Sequence, residues 1–590
     1  MNSFKYLRIF FDDKSLTYNI ISLQFLFIFS SILELTGISL IGPLFYVLSA
    51  GPDSLDNLYL DYFYTFLELK SFNSFVLYFS FTTITVILLG GLFSALSIIL
   101  LTRVATYGGV YLGNRLFDHY LKMDWVFYLS NKKSMMINEI YQETSRVTQN
   151  VLIPALMLNK AAYLTAFILT MLMIVDWKLT IGLFIGLSSV YILIYIFFRK
   201  NLNKNSRDLT EAHESRFRFL DDTFSSIKEI HIWVNSKIFL RGFDTASKKW
   251  SKALRNNMNI SNLPRYIVET FVLILLCLAF LLVFFTSKDI TSSLPSYSVF
   301  LFSSLKLLPA IQQIYYAGSM IAGNSYSAAN LYSILNDTNK KVINLSKFEE
   351  DVSSFALKDI NYTHIDSGFS LKHINIKMEK GSILGITGFS GSGKSTLVDL
   401  MMGLLNPQTG TIEVNQVDKD IYESLEWFNK IAYLPQKITT TNDLLADNIH
   451  FQDTDDIDFI KFTDVSKKSN LNEFLDDVNE QNYRNLELGI LSGGQLQRVG
   501  IARTLYKESD IIFFDEPTSA LDNINKNYFL RQIQEIKKNK IIVIVTHDVE
   551  LLEEVDELVV LNNGTLEFVG SFDDSLVKSE TMIGLISADD

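Results

Sequence analysis

The sequence predicts a two-part chain: an α-helical domain of six membrane spans, then an α/β domain organised on a glycine-rich loop. Three observations carry that prediction. Six long apolar stretches precede residue 325. Charge is concentrated after roughly residue 340, in a chain whose mean hydropathy is +0.20. The third is Gly388-Phe389-Ser390-Gly391-Ser392-Gly393-Lys394-Ser395, preceded by the apolar run Ile383-Leu384-Gly385-Ile386-Thr387 and followed by Thr396-Leu397-Val398. At 590 residues the chain is too long for one ordinary core, so two or more domains are expected.

A spanning helix needs about 20 largely apolar residues. The stretches that meet or approach this length are about 18–48, 72–101, 151–175, 179–198, 266–285 and 294–317. Pro43, Pro154, Pro264, Pro295 and Pro309 fall near their starts, ends or kinks, which neighbouring helices can accommodate by satisfying the freed backbone groups. The first run is long and lacks a small-residue cleavage site, so it reads as a retained membrane helix rather than a signal peptide. The connection 51–70 is acidic, whereas 102–150 and 199–265 are long and rich in Lys and Arg. By the positive-inside tendency, the N-terminus and both long connections lie in the cytoplasm. Both also carry apolar residues at helical spacing (Leu116, Tyr120 and Phe127; Phe217, Leu220, Phe224 and Ile227), so the span helices are expected to extend well beyond the membrane. The chain turns polar at Asn336-Asp337-Thr338-Asn339. That places a membrane domain at 1–325, a linker at 326–350 and a second domain at 351–590.

Composition excludes several classes. A net charge of −12 and a pI near 5.2 argue against nucleic acid as a partner, since phosphate backbones need clustered Lys and Arg. The single cysteine, Cys277, rules out an intrachain disulfide and a cysteine-based metal site.

The glycine-rich loop has the form G-x-x-x-x-G-K-S. Gly388, Gly391 and Gly393 let the backbone turn tightly, so that successive N–H groups from Gly388 through Ser390 and Ser392 to Thr396 converge with the helix's positive end on a polyphosphate. Lys394 adds a full charge, and the Ser395 hydroxyl can ligate Mg²⁺. ATP with Mg²⁺ is the expected cofactor.

Four further pieces follow. Ile511-Ile512-Phe513-Phe514-Asp515-Glu516 is a buried strand ending in two carboxylates, of which Asp515 can hold Mg²⁺ and Glu516 can polarise an attacking water. Ile541 to Val545 delivers Thr546-His547 toward a γ-phosphate. Gln436, in Tyr433-Leu434-Pro435-Gln436, supplies an amide able to sense Mg²⁺ and the water. Leu491-Ser492-Gly493-Gly494-Gln495 opens a helix whose N-terminal amides form a second anion site. Singly, each has a structural reading: a helix-capping serine, a core-edge histidine, an acidic strand end.

Together and in this order the motifs resemble the ATP-binding cassette (ABC) family, and the resemblance covers the whole length. It implies a six-span transmembrane domain of ABC exporter type fused to an α/β P-loop NTPase domain. One cassette with six spans is a half-transporter, so the implied unit is a dimer that sandwiches two ATP molecules. Each would lie between the Gly388 loop of one subunit and the Ser492 motif of the other. Carried over, Lys394, Ser395 and Thr396 match the phosphate loop, Gln436 the Q-loop, Ser492 to Gln495 the signature, and Asp515 the Mg²⁺ carboxylate. Glu516 matches the catalytic base, Ser519-Ala520-Leu521-Asp522 the D-loop and His547 the switch histidine. No catalytic position is degenerate, which favours a homodimer. Two departures stand out: the adenine-stacking aromatic falls at His364 with Tyr362 on the same strand face, and the acidic loop before the signature is shortened to Leu486-Glu487-Leu488-Gly489.

The first helix (Leu33-Glu34-Leu35-Thr36-Gly37 onward), Leu263-Pro264-Arg265-Tyr266 with Glu269, and Lys306-Leu307-Leu308-Pro309 look like those of bacterial flippases for lipid-linked oligosaccharides. A charge at the bilayer centre costs roughly 2.5–3.5 kcal/mol on insertion scales, so Arg265 and Lys306 are expected to face a cavity or a partner. On this reading they meet the pyrophosphate of a polyprenyl-linked glycan in a bacterial inner membrane. The alternative for Arg265 is a helix-end pair with Glu269, and the alternative cargo is a peptide, toxin or drug-like lipid. A non-transporting ATPase would have to be soluble without detergent.

Overall fold

The computed structural model describes the backbone of residues 2–66, 68, 71–233, 236–286, 290–336, 351–364, 368–441, 444–451, 457–473, 484, 487 and 491–589. It divides into two compact units, residues 1–122 with 131–339 and residues 123–130 with 340–590.

The first unit is helical: α1 (Lys14–Ala50), α2 (Phe72–Leu121), α3 (Ile153–Val175), α4 (Trp177–Ser225), α5 (Ser236–Thr286), α6 (Ile290–Gly323) and α7 (Ser325–Leu335). Asp13 starts α1 by accepting from the Ser15 N–H at 2.7 Å, and Ser71 caps α2. These caps satisfy amide groups that a helix start leaves unpaired. At 50 residues α2 is about 75 Å long at 1.5 Å per residue, far more than the roughly 30 Å of a hydrocarbon layer. α1 and α2 run antiparallel in close contact, Gly37 facing Ile87, Gly90 facing the Glu34 backbone and Gly108 facing Leu16. Small residues permit this approach where apolar surroundings supply no hydrophobic drive. One stripe of each helix is buried (Leu16, Ile20, Leu23 and Phe27; Leu101, Ala105, Leu112 and Leu116), while Phe25, Phe81, Leu88 and Leu92 stand exposed. Helices apolar on every face belong in lipid.

Among the described residues, three helical stretches are long and apolar enough to cross a membrane, Lys14–Asp56, Phe72–Leu121 and Lys133–Val175, and Thr180–Leu193 is a shorter apolar one. The expected spans 266–285 and 294–317 fall on α5 and α6 and run into residues 278–298, whose side chains lie outside the described set.

The second unit has two sheets. β1 (Ser354–Thr363), β2 (Ser370–Glu379), β4 (Thr409–Val414) and β5 (Val417–Asp418) form an antiparallel sheet in the order β2-β1-β4-β5. β3 (Ile383–Thr387), β6 (Ile431–Leu434), β7 (Ile511–Asp515), β8 (Ile541–Val545), β9 (Glu557–Asn562) and β10 (Thr565–Gly570) form the second, in the order β10-β9-β3-β8-β7-β6. Its β9-β3-β8-β7-β6 part is parallel, and β3 and β8 are buried at every residue, as a sheet covered on both faces requires. α8 (Lys394–Met401) follows β3, and α9 (Gly493–Tyr506) precedes β7.

The division differs from the expected boundaries in two places. Residues 325–335, expected in or beside the linker, form α7, whose Ala328 and Leu331 are buried in the first unit's core; residues 337–350 lie outside the described set. Residues 123–130, expected within the membrane domain, group with the second unit instead. Trp125 and Val126 pack against its core, and the Trp125 Nε1–H donates to Asp399 on α8 at 3.1 Å.

Candidate functional site

The phosphate loop joins β3 to α8 at the carboxyl edge of the parallel sheet, where open α/β sheets bind ligands. Gly388 has φ +146°, and a Cβ there would lie 2.2 Å from the Leu561 carbonyl oxygen, so only glycine fits. Gly391 and Gly393 also have positive φ, and Gly393 is the N-cap of α8. Lys394 Nζ donates to the Gly388 and Phe389 carbonyls at 2.7 and 3.0 Å, folding its ammonium over the loop. Burial lowers its pKa, against the pull of Glu516 and Asp515. Among the described residues, Ser392 Oγ has no hydrogen-bond partner, a buried hydroxyl inside the cradle.

Strands β7 and β8 end beside this loop. Asp515 accepts from the Tyr433 hydroxyl at 3.4 Å; burial raises its pKa, and the neighbouring Glu516 charge adds to the rise. Glu516 has φ 47°, and its N–H is anchored on the Val545 carbonyl at 2.8 Å. Its carboxylate takes Gln436 Nε2 at 3.3 Å on one oxygen and lies 3.1 Å from His547 Nδ1 on the other. Gln436, Glu516 and His547, apart in sequence, are thus brought into one group. Among the described residues, no cluster of three or more His, Cys, Asp or Glu could hold a metal alone. Ser395, Asp515 and Gln436 suit Mg²⁺ differently: it keeps waters and substrate phosphates and needs only one or two protein oxygens.

The signature segment is tied to the same strand end. Ser492 caps α9 and forms a capping box with Gln495, whose side chain accepts from the Ser492 N–H at 2.8 Å. The helix start approaches residues 519–522 closely at Gly494, where a Cβ would lie 2.8 Å from the Ala520 oxygen. Gln497, not anticipated from sequence, donates to the Pro517 and Glu516 carbonyls at 3.1 and 3.4 Å. Tyr362 is buried at 9 % exposure in the antiparallel sheet's core. His364 meets it edge-on and lies 3.1 Å from Thr396 Oγ1, beside the loop. Glu487 pairs with Leu444 in an isolated bridge; Leu486, Leu488 and Gly489 lie outside the described residues.

In the first unit, Lys306 on α6 and Glu34 on α1 form an ion pair at 3.0 Å, with the glutamate side chain 7 % exposed. Lys160 on α3 donates to the Ser94 carbonyl and hydroxyl of α2 at 3.0 and 2.8 Å, and Ser94 lies one turn along α2 from Gly90, which faces the Glu34 backbone. Four helices thus bring two lysines and one glutamate together. Neither Glu34 nor Lys160 stands out as a site residue in the sequence, because no local pattern shows which helices pack against it. Arg265 on α5 lies 4.0 Å from Glu269, both exposed.

Two family models match: the ABC transporter transmembrane region over residues 20–308 and the ABC transporter model over residues 371–519. The chain is 24 % identical over 473 residues to an ATP-dependent lipid A-core flippase of Saccharophagus degradans, covering 79 % of each chain. It is 28 % identical over 410 residues to a putative export ATP-binding/permease protein of Rickettsia felis, covering 65 % of this chain and 67 % of that one. A solved bacterial Atm1-family ABC exporter with ATP bound superposes with a TM-score of 0.76 at 19 % identity, covering 98 % of this chain and 99 % of the other.

Proposed function

We propose, for a chain that belongs to the ATP-binding cassette transporter family and is an ATPase coupled to transport, that its cargo is an anionic amphiphile flipped or exported across a bacterial inner membrane. The best candidate is a polyprenyl-pyrophosphate-linked oligosaccharide. The observation that carries this reading is the group of Glu34, Lys306 and, one turn away on Ser94, Lys160. Its formal charge is positive, because Glu34 pairs with Lys306 while Lys160, bonded to Ser94, adds a second lysine. An intramembrane excess cation is costly unless it serves a ligand, and a phosphate headgroup is the partner it suits. Lipid A-core flippases among the relatives support a lipid cargo.

With six spans, a cytoplasmic N-terminus and a cytoplasmic ATPase domain, the chain would meet ATP on the side where it is made. Gly388 to Thr396 would hold its phosphates, Lys394 turning from its carbonyls onto them. Ser395, Asp515 and Gln436 would hold Mg²⁺, which when bound neutralises phosphate charge. His364, beside Thr396, suits the adenine better than the buried Tyr362. Glu516 accepts a proton from the attacking water, with its carboxylate oriented by Gln436 and His547. The intact residue set favours two identical chains with two active sites.

The reading is tested by reconstituting the protein in vesicles and measuring translocation of a polyprenyl-pyrophosphate-linked glycan by Lys160→Ala, Lys306→Ala and Arg265→Ala. Loss in both lysine variants with basal ATPase kept is expected. Undiminished transport in both, or ATPase stimulation by peptides and not by glycolipids, would overturn it.

A further inference from the structure

Between α1 and α2, at the end where α1 begins, lies a groove of about 660 Å³ that the cargo reading does not use. Its lining changes character along the helix axis. Ser15, Asn19, Arg103 and Tyr107 lie toward one end and Leu23, Leu26 and Leu100 toward the other, with Ser22 and Val104 between them. Because the helices are antiparallel with Leu16 opposite Gly108, Ser15 lies level with the Tyr107 region and Leu23 with Leu100. From residue 15 to residue 26 the gradient covers roughly 16 Å at 1.5 Å per residue. It crosses the point where the apolar stretches of both helices, about 18–48 and 72–101, give way to polar sequence.

The charge in this groove is unbalanced. Among the described residues, no Asp or Glu lines it. The nearest acids in sequence are already engaged, Asp12 with Arg115 and Asp13 with the Ser15 N–H. Among the described residues, Arg103 makes no ion pair and donates no side-chain hydrogen bond, and it is exposed. A guanidinium above a leucine-lined slot, with a tyrosine one helical turn farther from the leucines, matches the order of chemistry at one end of a lipid molecule: a phosphate headgroup at the interface, then acyl chain.

We infer that this groove binds one anionic phospholipid of the cytoplasmic leaflet, its phosphate on Arg103 and an acyl chain along Leu23, Leu26 and Leu100. The lipid is a resident of the membrane-facing wall, separate from the cargo group at Glu34, Lys160 and Lys306. The inference rests on the orientation proposed above but not on the identity of the cargo.

The test is native mass spectrometry of the full-length protein released from vesicles of equal phosphatidylglycerol and phosphatidylcholine. Wild type should retain phosphatidylglycerol over phosphatidylcholine by about fivefold, the size expected of one basic residue beside anionic lipid. Arg103→Gln should lose that preference and Arg103→Lys should keep most of it. Arg103 is exposed, so folding is not at stake. Equal lipid retention in wild type and Arg103→Gln would overturn the proposal. So would displacement of the lipid by millimolar inorganic phosphate, which would make this a free-anion site. A third overturning result would be a disulfide between two chains carrying Asn19→Cys with Cys277→Ser in vesicles, since a second copy would then cover the groove.

Discussion

Glu516 is held in a conformation that non-glycine residues seldom adopt. Its φ of 47° costs about 1–3 kcal/mol, and the anchor on the Val545 carbonyl and the β7 strand before it maintain it. The strain turns the carboxylate away from Asp515's position and toward Gln436 and His547. Glu516→Gln should therefore lower turnover by about 10²–10⁴-fold while ATP binding survives, since only the proton acceptor is lost. Normal turnover with bound nucleotide would remove the assignment. Asp399 offers a pH prediction. Burial, with the Asp515 charge adding and the Trp125 hydrogen bond opposing, pushes its pKa up to about 6. An unfolded Asp titrates near about 3.9, so between these values the folded chain binds more protons. Stability accordingly falls as pH rises from about 4 to 6 and stays reduced above. Asp399→Asn keeps an acceptor for Trp125 and removes the charge. It should stabilise the protein by about 2–3 kcal/mol at pH 7.5, a gain that vanishes by about pH 4. A thermal-unfolding difference that does not change with pH would contradict this.

The helices show where sequence was informative and where it was not. Apolar length located the first two spans, and the order of motifs fixed which strand ends carry Asp515, Glu516 and His547, because those signals are local. The Trp125–Asp399 contact joins residues 274 apart, and no local pattern encodes it. The same holds for the bonds that tie the long extensions together. Arg146, 6 % exposed, donates to Asn324 at 2.9 Å and to Thr210 at 2.8 Å and pairs with Glu143 at 3.4 Å; Ser327 also bonds Glu143. α4, α7 and the α6–α7 junction are thereby fastened to the segment before α3 by polar atoms, which a search for apolar periodicity passes over. Arg146→Ala leaves the Glu143 carboxylate buried without its cation. It should destabilise the first unit by about 3–5 kcal/mol, read as a lower unfolding temperature of the full-length protein with ATP affinity retained. An unchanged unfolding temperature would mean that the network does not hold the extensions.

At the scale of the whole molecule the question is whether one chain contains a complete ATP site. Lys394, Asp515, Glu516 and His547 gather around one loop, whereas Ser492 and Gln495 are occupied in capping α9. If a second copy supplies the Ser492 helix, each site is built from two chains, and defects in different parts should complement. A chain with Lys394→Ala spoils the loop, and a chain with Ser492→Arg spoils the signature. Each alone should be inactive in both sites of its own dimer. In a mixed dimer, the good loop of one chain faces the good signature of the other, while the two defects share the second site. Random mixing at equal amounts makes half the dimers mixed, so ATPase should recover to roughly a quarter of wild type for an isologous pair. Ser492→Arg also removes a helix cap, so its own inactivity decides nothing; the recovery does. A site complete within one chain gives no recovery at any ratio, and that outcome would return the Ser492 helix to a purely structural role.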